Sequence, residues 1–172
     1  IPDLPISFEV FSDNFDEMEN EAKKIAGWGN NVYVKIPITN TIGESSYSLV
    51  KRLSDDGIKL NITAILTFRQ VKHILPALSG ENIISVFAGR IADTGRDPIP
   101  IMKNAKYELQ SSENMLLWAS CREVYNIIQA KKCGCNIITV TPDILKKLPM
   151  LGKDLEELSL ETVRMFYNDS KL

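Results

Sequence analysis

The sequence predicts an α/β protein: a TIM-type (β/α) barrel of parallel strands, with six of the eight βα units present in this chain. Three observations carry that expectation. Short β-rich runs recur at intervals of about 22 to 32 residues, each is followed by a helical stretch, and the polar residues of the strands gather on one alternating face. Strict βα alternation implies parallel strands joined by right-handed crossovers. An open sheet coated by helices on both sides would need apolar residues on both faces. Polar groups converging from successive strands fit a barrel whose site is assembled from strand ends.

The strands are read as Ile6 to Val10, Val32 to Ile36, Leu60 to Ala64, Ile83 to Phe87, Met115 to Ala119 and Ile137 to Val140. Phe8, Val10, Val32, Val34, Ile36, Ile62, Ala64, Ile84, Val86, Leu117, Ala119, Ile138 and Val140 form the apolar set expected to meet helices. Ser7, Glu9, Tyr33, Lys35, Asn61, Thr63, Ser85, Ser120, Thr139 and Thr141 form the opposite set. Between them, Asp16 to Ala26 carries Met18, Ala22 and Ile25 at helical spacing, and Ser45 to Leu53 stops at Asp55-Asp56-Gly57. Thr67 and Gln70 have the spacing of a capping box, Arg122 is read as opening the helix after Ser120, and Thr141-Pro142 offers a cap and a first-turn proline. The last helix is expected over about Ser159 to Asn168.

With 172 residues, 44% of them hydrophobic and 24% charged, the chain fits a single domain over residues 1–172 with room for a sizeable core. A six-strand parallel sheet leaves two open edges, and two further units of about 25 residues would bring the chain to the size of a compact barrel; the expectation is that about 50 amino-terminal residues are missing. A net charge of -2 with scattered Lys and Arg gives no basic face for nucleic acid. No long apolar run and no leader pattern is visible, which points to a soluble, cytoplasmic protein with no membrane partner. Cys121, Cys133 and Cys135 make neither a disulfide framework nor a zinc pattern, and His73 is the only imidazole, so no metal site and no cofactor are expected.

Lys35 stands out, because it interrupts the apolar run Val32-Tyr33-Val34-Lys35-Ile36-Pro37-Ile38-Thr39. Lysine is rarely buried without a partner. In a low-dielectric site a fall in its pKa from about 10.4 to about 8 would raise the neutral, nucleophilic fraction at pH 7 from roughly 0.04% to roughly 10%, and a neutral amine attacks carbonyls. The alternative is a stem packed on the core with its head snorkelling out. Glu9 on the preceding strand and Thr63 on the following one could hold a water beside the amine, as carbinolamine dehydration and imine hydrolysis require. Asn61 and Ser85 supply neutral partners for substrate hydroxyls. Arg90 and Arg122 occupy the rim where an anionic group would dock, guanidinium forks being matched to phosphate oxygens.

These segments, together with Leu60-Asn61-Ile62-Thr63-Ala64, Ser85-Val86-Phe87-Ala88-Gly89-Arg90-Ile91, Trp118-Ala119-Ser120-Cys121-Arg122 and Cys133-Gly134-Cys135-Asn136-Ile137-Ile138-Thr139, resemble the transaldolase and fructose-6-phosphate aldolase family, specifically its small-subunit members. The resemblance implies a class I enzyme of carbohydrate metabolism and the pentose phosphate pathway. In such an enzyme Lys35 forms a Schiff base with a ketose phosphate and passes a dihydroxyacetone unit to an aldose phosphate. By the same carry-over, Glu9 and Thr63 handle the water of imine chemistry, Asn61 and Ser85 hold hydroxyls, and Arg90, Ser120 and Arg122 grip the phosphate. Glu at position 9 and Phe at position 87 resemble transaldolases, the aldolases carrying Gln and Tyr there.

The chain departs from the family in one respect. The aspartate of the family's first strand, the acid/base of C–C cleavage, and a Thr-Thr-Asn-Pro-like segment on its second strand are not in this sequence. Loss of such a base is worth about 100-fold to 10,000-fold in rate. The alternatives to a transaldolase are therefore a fructose-6-phosphate aldolase and a non-catalytic sugar-phosphate-binding fragment. The resemblance also implies a homo-oligomer, commonly a decamer, with the helix around Val163 and Phe166 packed on a neighbour or capping its own barrel.

Overall fold

The computed structural model describes residues 4–171, which divide into two compact units at Val140/Thr141. The first unit holds six parallel strands in sequential order: β1 (Ile6–Glu9), β2 (Val32–Pro37), β3 (Leu60–Ile65), β4 (Ile83–Val86), β5 (Met115–Trp118) and β6 (Ile137–Ile138). Helices alternate with them: α1 (Phe15–Ala26), α2 (Tyr47–Asp55), α3 (Phe68–Ile74), α4 (Ala88–Asp93), α5 (Ile99–Glu108) and α6 (Tyr125–Lys132). This is the expected TIM-type architecture as an open portion of a barrel, with β1 and β6 at the edges of the sheet. The second unit consists of α7 (Pro142–Lys146), a short 3₁₀ turn and α8 (Leu155–Asp169).

Local chemistry explains the boundaries. Asn14 caps α1 by accepting from the amides of Asp16 and Glu17, and Met18, Ala22 and Ile25 form its buried stripe. Thr67 and Gln70 close the capping box of α3 in both directions. Thr141 does occupy the cap position of α7, although its side chain makes no capping bond. The last helix starts earlier than its apolar spacing suggests, because Asp154 accepts from the amides of Glu156 and Glu157 and so fixes the first turn four residues before Ser159. The helix after Ser120 begins at Tyr125, so Arg122 lies in the preceding loop, with its amide donated to Asn126 Oδ1.

The helix-facing strand residues Val34, Ile36, Ile62, Ile84, Val86, Leu116 and Trp118 are completely buried, together with Leu49, Val50, Leu53, Val71, Ile74, Met102 and Ala105 from the helices. Leu117 and Ala119 correct the sequence reading, which assigned them to this face. Ser85 registers against Leu117 and Val86 against Trp118, so Leu117 points inward with Ser85. With Tyr33 and Ile83, and with Phe87, Met115 and Ile137 against them, Leu117 and Ala119 form an apolar plug in the interior.

An asparagine stands immediately before each of β2, β4, β5 and β6, at positions 31, 82, 114 and 136. Buried Asn82 accepts from the amide of Leu60 at 2.9 Å and donates to Asn114 Oδ1 at 3.2 Å, while Asn136 accepts from the amide of Leu116 at 3.0 Å. These side chains satisfy strand-entry amides that have no ladder partner. Asn82→Ala strands the buried Leu60 amide and is expected to cost about 1–3 kcal/mol, read from the urea midpoint.

Candidate active site

The parallel registers Glu9↔Lys35 and Lys35↔Asn61 set three inward-facing polar residues side by side on β1, β2 and β3. One strand-step further, Thr63 follows Asn61 on the same face, and Ser85 comes from β4. Lys35, Asn61, Thr63 and Ser85, together with Ser7, Phe87, Arg90, Ser120 and Thr139, line a cavity of about 760 Å³ whose floor is made of Ile83, Leu117, Ala119 and Ile137. Lys35 Nζ lies 3.3 Å from Glu9 Oε2, and its side chain keeps 29% of its exposure. The amine is thus partly solvated and ion-paired rather than dry, which replaces the expectation of a desolvated lysine with that of a carboxylate-partnered one.

Asn61 and Ser85 are buried and joined: Ser85 Oγ donates to Asn61 Oδ1 at 2.6 Å, and Asn61 Nδ2 donates to Ser7 Oγ at 3.0 Å. Thr63 Oγ1 is buried with no partner among the described residues, an uncommon state for a hydroxyl on a cavity wall. Ser7 is the residue whose position the sequence reading left without a role; its alternation with Glu9 on β1 was the available signal.

Among the described residues two non-glycine residues have left-handed backbones, Ala64 at φ 60° and Ser120 at φ 65°, and both sit at strand C-termini beside the cavity. At Ala64 the register slips, three residue steps from Ile62 to Ile65 matching two from Ile84 to Val86, which is a bulge. At Ser120 the turn breaks the alternation that would otherwise aim its side chain away from Ala119's face, and both line the cavity. Such conformations cost about 1–3 kcal/mol each and gather at functional sites.

Arg90 stacks over Phe87, its guanidinium carbon 5.1 Å from the ring centroid. Arg122 is not among the cavity-lining residues: its Nε and Nη2 hold the Asp93 carboxylate at 2.5–3.1 Å. The guanidinium keeps the exposed Asp93 carboxyl below the usual carboxylate range. The Cys121 thiol is pushed up to about 11 and that of Cys135 to about 12, chiefly by burial, so neither is a thiolate near pH 7. Among the described residues no group of His, Cys, Asp and Glu is arranged to hold a metal ion, and no helix is long and apolar enough to cross a membrane.

The fold and the cavity define a β/α-barrel protein with a lysine–carboxylate pair at the strand C-termini. The sequence profile of the Transaldolase/Fructose-6-phosphate aldolase family matches residues 1–171, and the chain belongs to that family. It is 33% identical over 159 residues to a protein named "Probable transaldolase" from Nitrosopumilus maritimus, covering 91% of this chain and 68% of that one. It is 34% identical over 161 residues to one of the same name from Streptococcus agalactiae, with 91% and 72% covered, and 33% identical to one from Thermoplasma acidophilum, with 100% and 76% covered. Its function is accordingly of the transaldolase/aldolase type. Among solved structures, a GMP reductase variant from Trypanosoma brucei superposes with a TM-score of 0.54 at 14% identity, covering 80% of this chain and 33% of that one. A mandelate oxidase variant gives 0.57 at 12% identity, with 79% and 48% covered, and both share the fold alone.

Gly89, in the first turn of α4, packs directly on the Ser120 turn. A Cβ there would fall 1.5 Å from the Ser120 carbonyl oxygen, which is backbone and cannot swing aside. Gly89→Ala is expected to lose about 1–3 kcal/mol of stability by denaturant unfolding, with the near-ultraviolet circular dichroism altered even where the chain still folds.

Proposed function

We propose that the cavity is the ketose-binding part of a transaldolase site in which Lys35 is the Schiff-base amine. The observation that carries this reading is Lys35 on the wall of a cavity lined by hydroxyl and amide groups, with the Glu9 carboxylate 3.3 Å from its amine. Glu9 takes a proton from the Lys35 ammonium, and the freed nitrogen pair attacks C2 of a ketose phosphate. The carbonyl oxygen is protonated and leaves the carbinolamine as water, giving the iminium. With the family's aspartate not in this sequence, water takes the proton of the C4 hydroxyl as C3–C4 breaks; the electron pair of that bond passes into the iminium, C4 leaves as the aldehyde of the aldose, and the resulting enamine of dihydroxyacetone adds to the aldehyde of an aldose phosphate, whose oxygen takes up a proton. Hydrolysis reverses the first steps, with the hydroxyl of Thr63 available to hold the water.

Asn61 and Ser85 hold ketose hydroxyls, Phe87 bounds the sugar, and Arg90, Ser120 and Arg122 receive the phosphate. For Arg122 this means exchanging Asp93 for phosphate oxygens, or turning its remaining Nη1 toward them. Glu at position 9 and Phe at position 87 support transfer to an acceptor over simple aldol cleavage. Fructose 6-phosphate or sedoheptulose 7-phosphate is the donor in this reading. A cytoplasmic homo-oligomer belongs with it.

Borohydride reduction in the presence of fructose 6-phosphate is expected to leave a stable adduct on Lys35, located by mass spectrometry of peptides, and none on the Lys35→Met chain. No adduct on Lys35 overturns the reading. In a coupled assay, release of product from fructose 6-phosphate is expected to depend on added erythrose 4-phosphate; equal release without it assigns the aldolase activity instead.

A further inference from the structure

The hydrogen-bond chain across β1, β3 and β4 has a direction. Ser85 spends its hydroxyl hydrogen on Asn61 Oδ1 at 2.6 Å, which fixes the Asn61 amide with its nitrogen toward β1, and that nitrogen donates to Ser7 Oγ at 3.0 Å. Ser7 therefore accepts from the protein, and its own hydroxyl hydrogen goes to no acceptor among the described residues. Ser85, whose hydrogen is committed, keeps only lone pairs. The buried amide of Asn61 thus polarises the wall: an acceptor at the Ser85 end and a donor at the Ser7 end, both on the cavity.

We propose that Ser7 is a further substrate-binding residue, donating its hydroxyl hydrogen to an oxygen of the bound ketose. The inference rests on the ketose-phosphate reading of the cavity. Ser7 registers opposite Tyr33, one inward-facing step below the Glu9–Lys35 pair, so its donor lies beneath the amine on the apolar-plug side of the wall. The sugar oxygen that meets it is an acceptor, a hydroxyl or the carbonyl. A sugar hydroxyl that meets Ser85 donates to it. Reversal of the Asn61 amide would exchange the two roles, and the short Ser85–Asn61 bond holds it against that. Because β1 is an edge strand and Ser7 is exposed, the space left by its hydroxyl is open to water, which replaces it as the acceptor of the buried Asn61 nitrogen in the free protein.

The test is calorimetric titration of fructose 6-phosphate into the Lys35→Met chain, where no imine forms, with and without Ser7→Ala. Loss of one neutral hydrogen bond is expected to weaken binding about 3- to 10-fold. Ser7→Thr, which keeps the hydroxyl, is expected to restore affinity. Inorganic phosphate, which has no sugar oxygen to meet Ser7, is expected to bind equally to all of them, a readout that a general loosening of β1 would move. An unchanged dissociation constant on Ser7→Ala overturns the proposal, as does equal weakening for inorganic phosphate or no binding of fructose 6-phosphate to the Lys35→Met chain. Borohydride trapping on the unaltered protein reports separately on Lys35, so a failure there leaves the Ser7 result interpretable.

Discussion

The pairing of β2 with β1 on one side and β3 on the other is the constraint on which the site depends. Glu9, Lys35 and Asn61 are three residues on three strands, brought abreast by two parallel registers. Side chains alternate with a period of two, so a slip of one residue in either register would send that strand's polar residue into the helix layer and an apolar one into the cavity. The register is held by what lies outside: Val34, Ile36 and Ile62, all completely buried, give no freedom to exchange faces. The Tyr33 hydroxyl pins the lower end by donating to Glu81 at 2.6 Å, its proton held more tightly than in an ordinary phenol by burial first and by that carboxylate second. The chemistry of the inner face is thus set by the packing of the outer one.

Regular strands alone would not complete the wall. At the end of β3 and just past β5 the chain departs from alternation, through the bulge at Ala64 and the left-handed turn at Ser120. Each departure comes directly after residues that line the cavity, Thr63 in one case and Ala119 in the other. The strand bodies supply rigidity and the irregular ends supply aim, which is the division of labour expected of a barrel whose site lies at strand C-termini. The Thr63 hydroxyl, buried and without a partner among the described residues, stands one residue before the first of these departures.

Much of this was legible in the residues. Lys35 in an apolar run, the helix stripe of Met18, Ala22 and Ile25, and the Thr67–Gln70 capping box are local signals, and local periodicity reads them directly. Leu117 and Ala119 were misread because hydrophobicity alone cannot say which face of a buried strand looks inward when the interior floor is itself apolar; only the register with Ser85 decides. The direction of the Ser85–Asn61–Ser7 chain lay out of reach for a related reason, since it depends on three strands meeting in space. Asp93 as the partner of Arg122 joins residues 29 apart, and nothing in either segment announces it. The roles of Asn82 and Asn136 before β4 and β6 likewise emerge only in space, where each accepts from an amide of the neighbouring strand.

The contact between Gly89 and the Ser120 carbonyl ties the start of α4 and the loop after β5 into one object. One carries Phe87 and Arg90, the other Ser120 and Arg122, and there is no space between them for a single methyl group. Grafting either segment from a homologue would import a backbone shaped for a different neighbour. The two have to be exchanged together, so that a designer choosing segments to recombine has one cassette here rather than two.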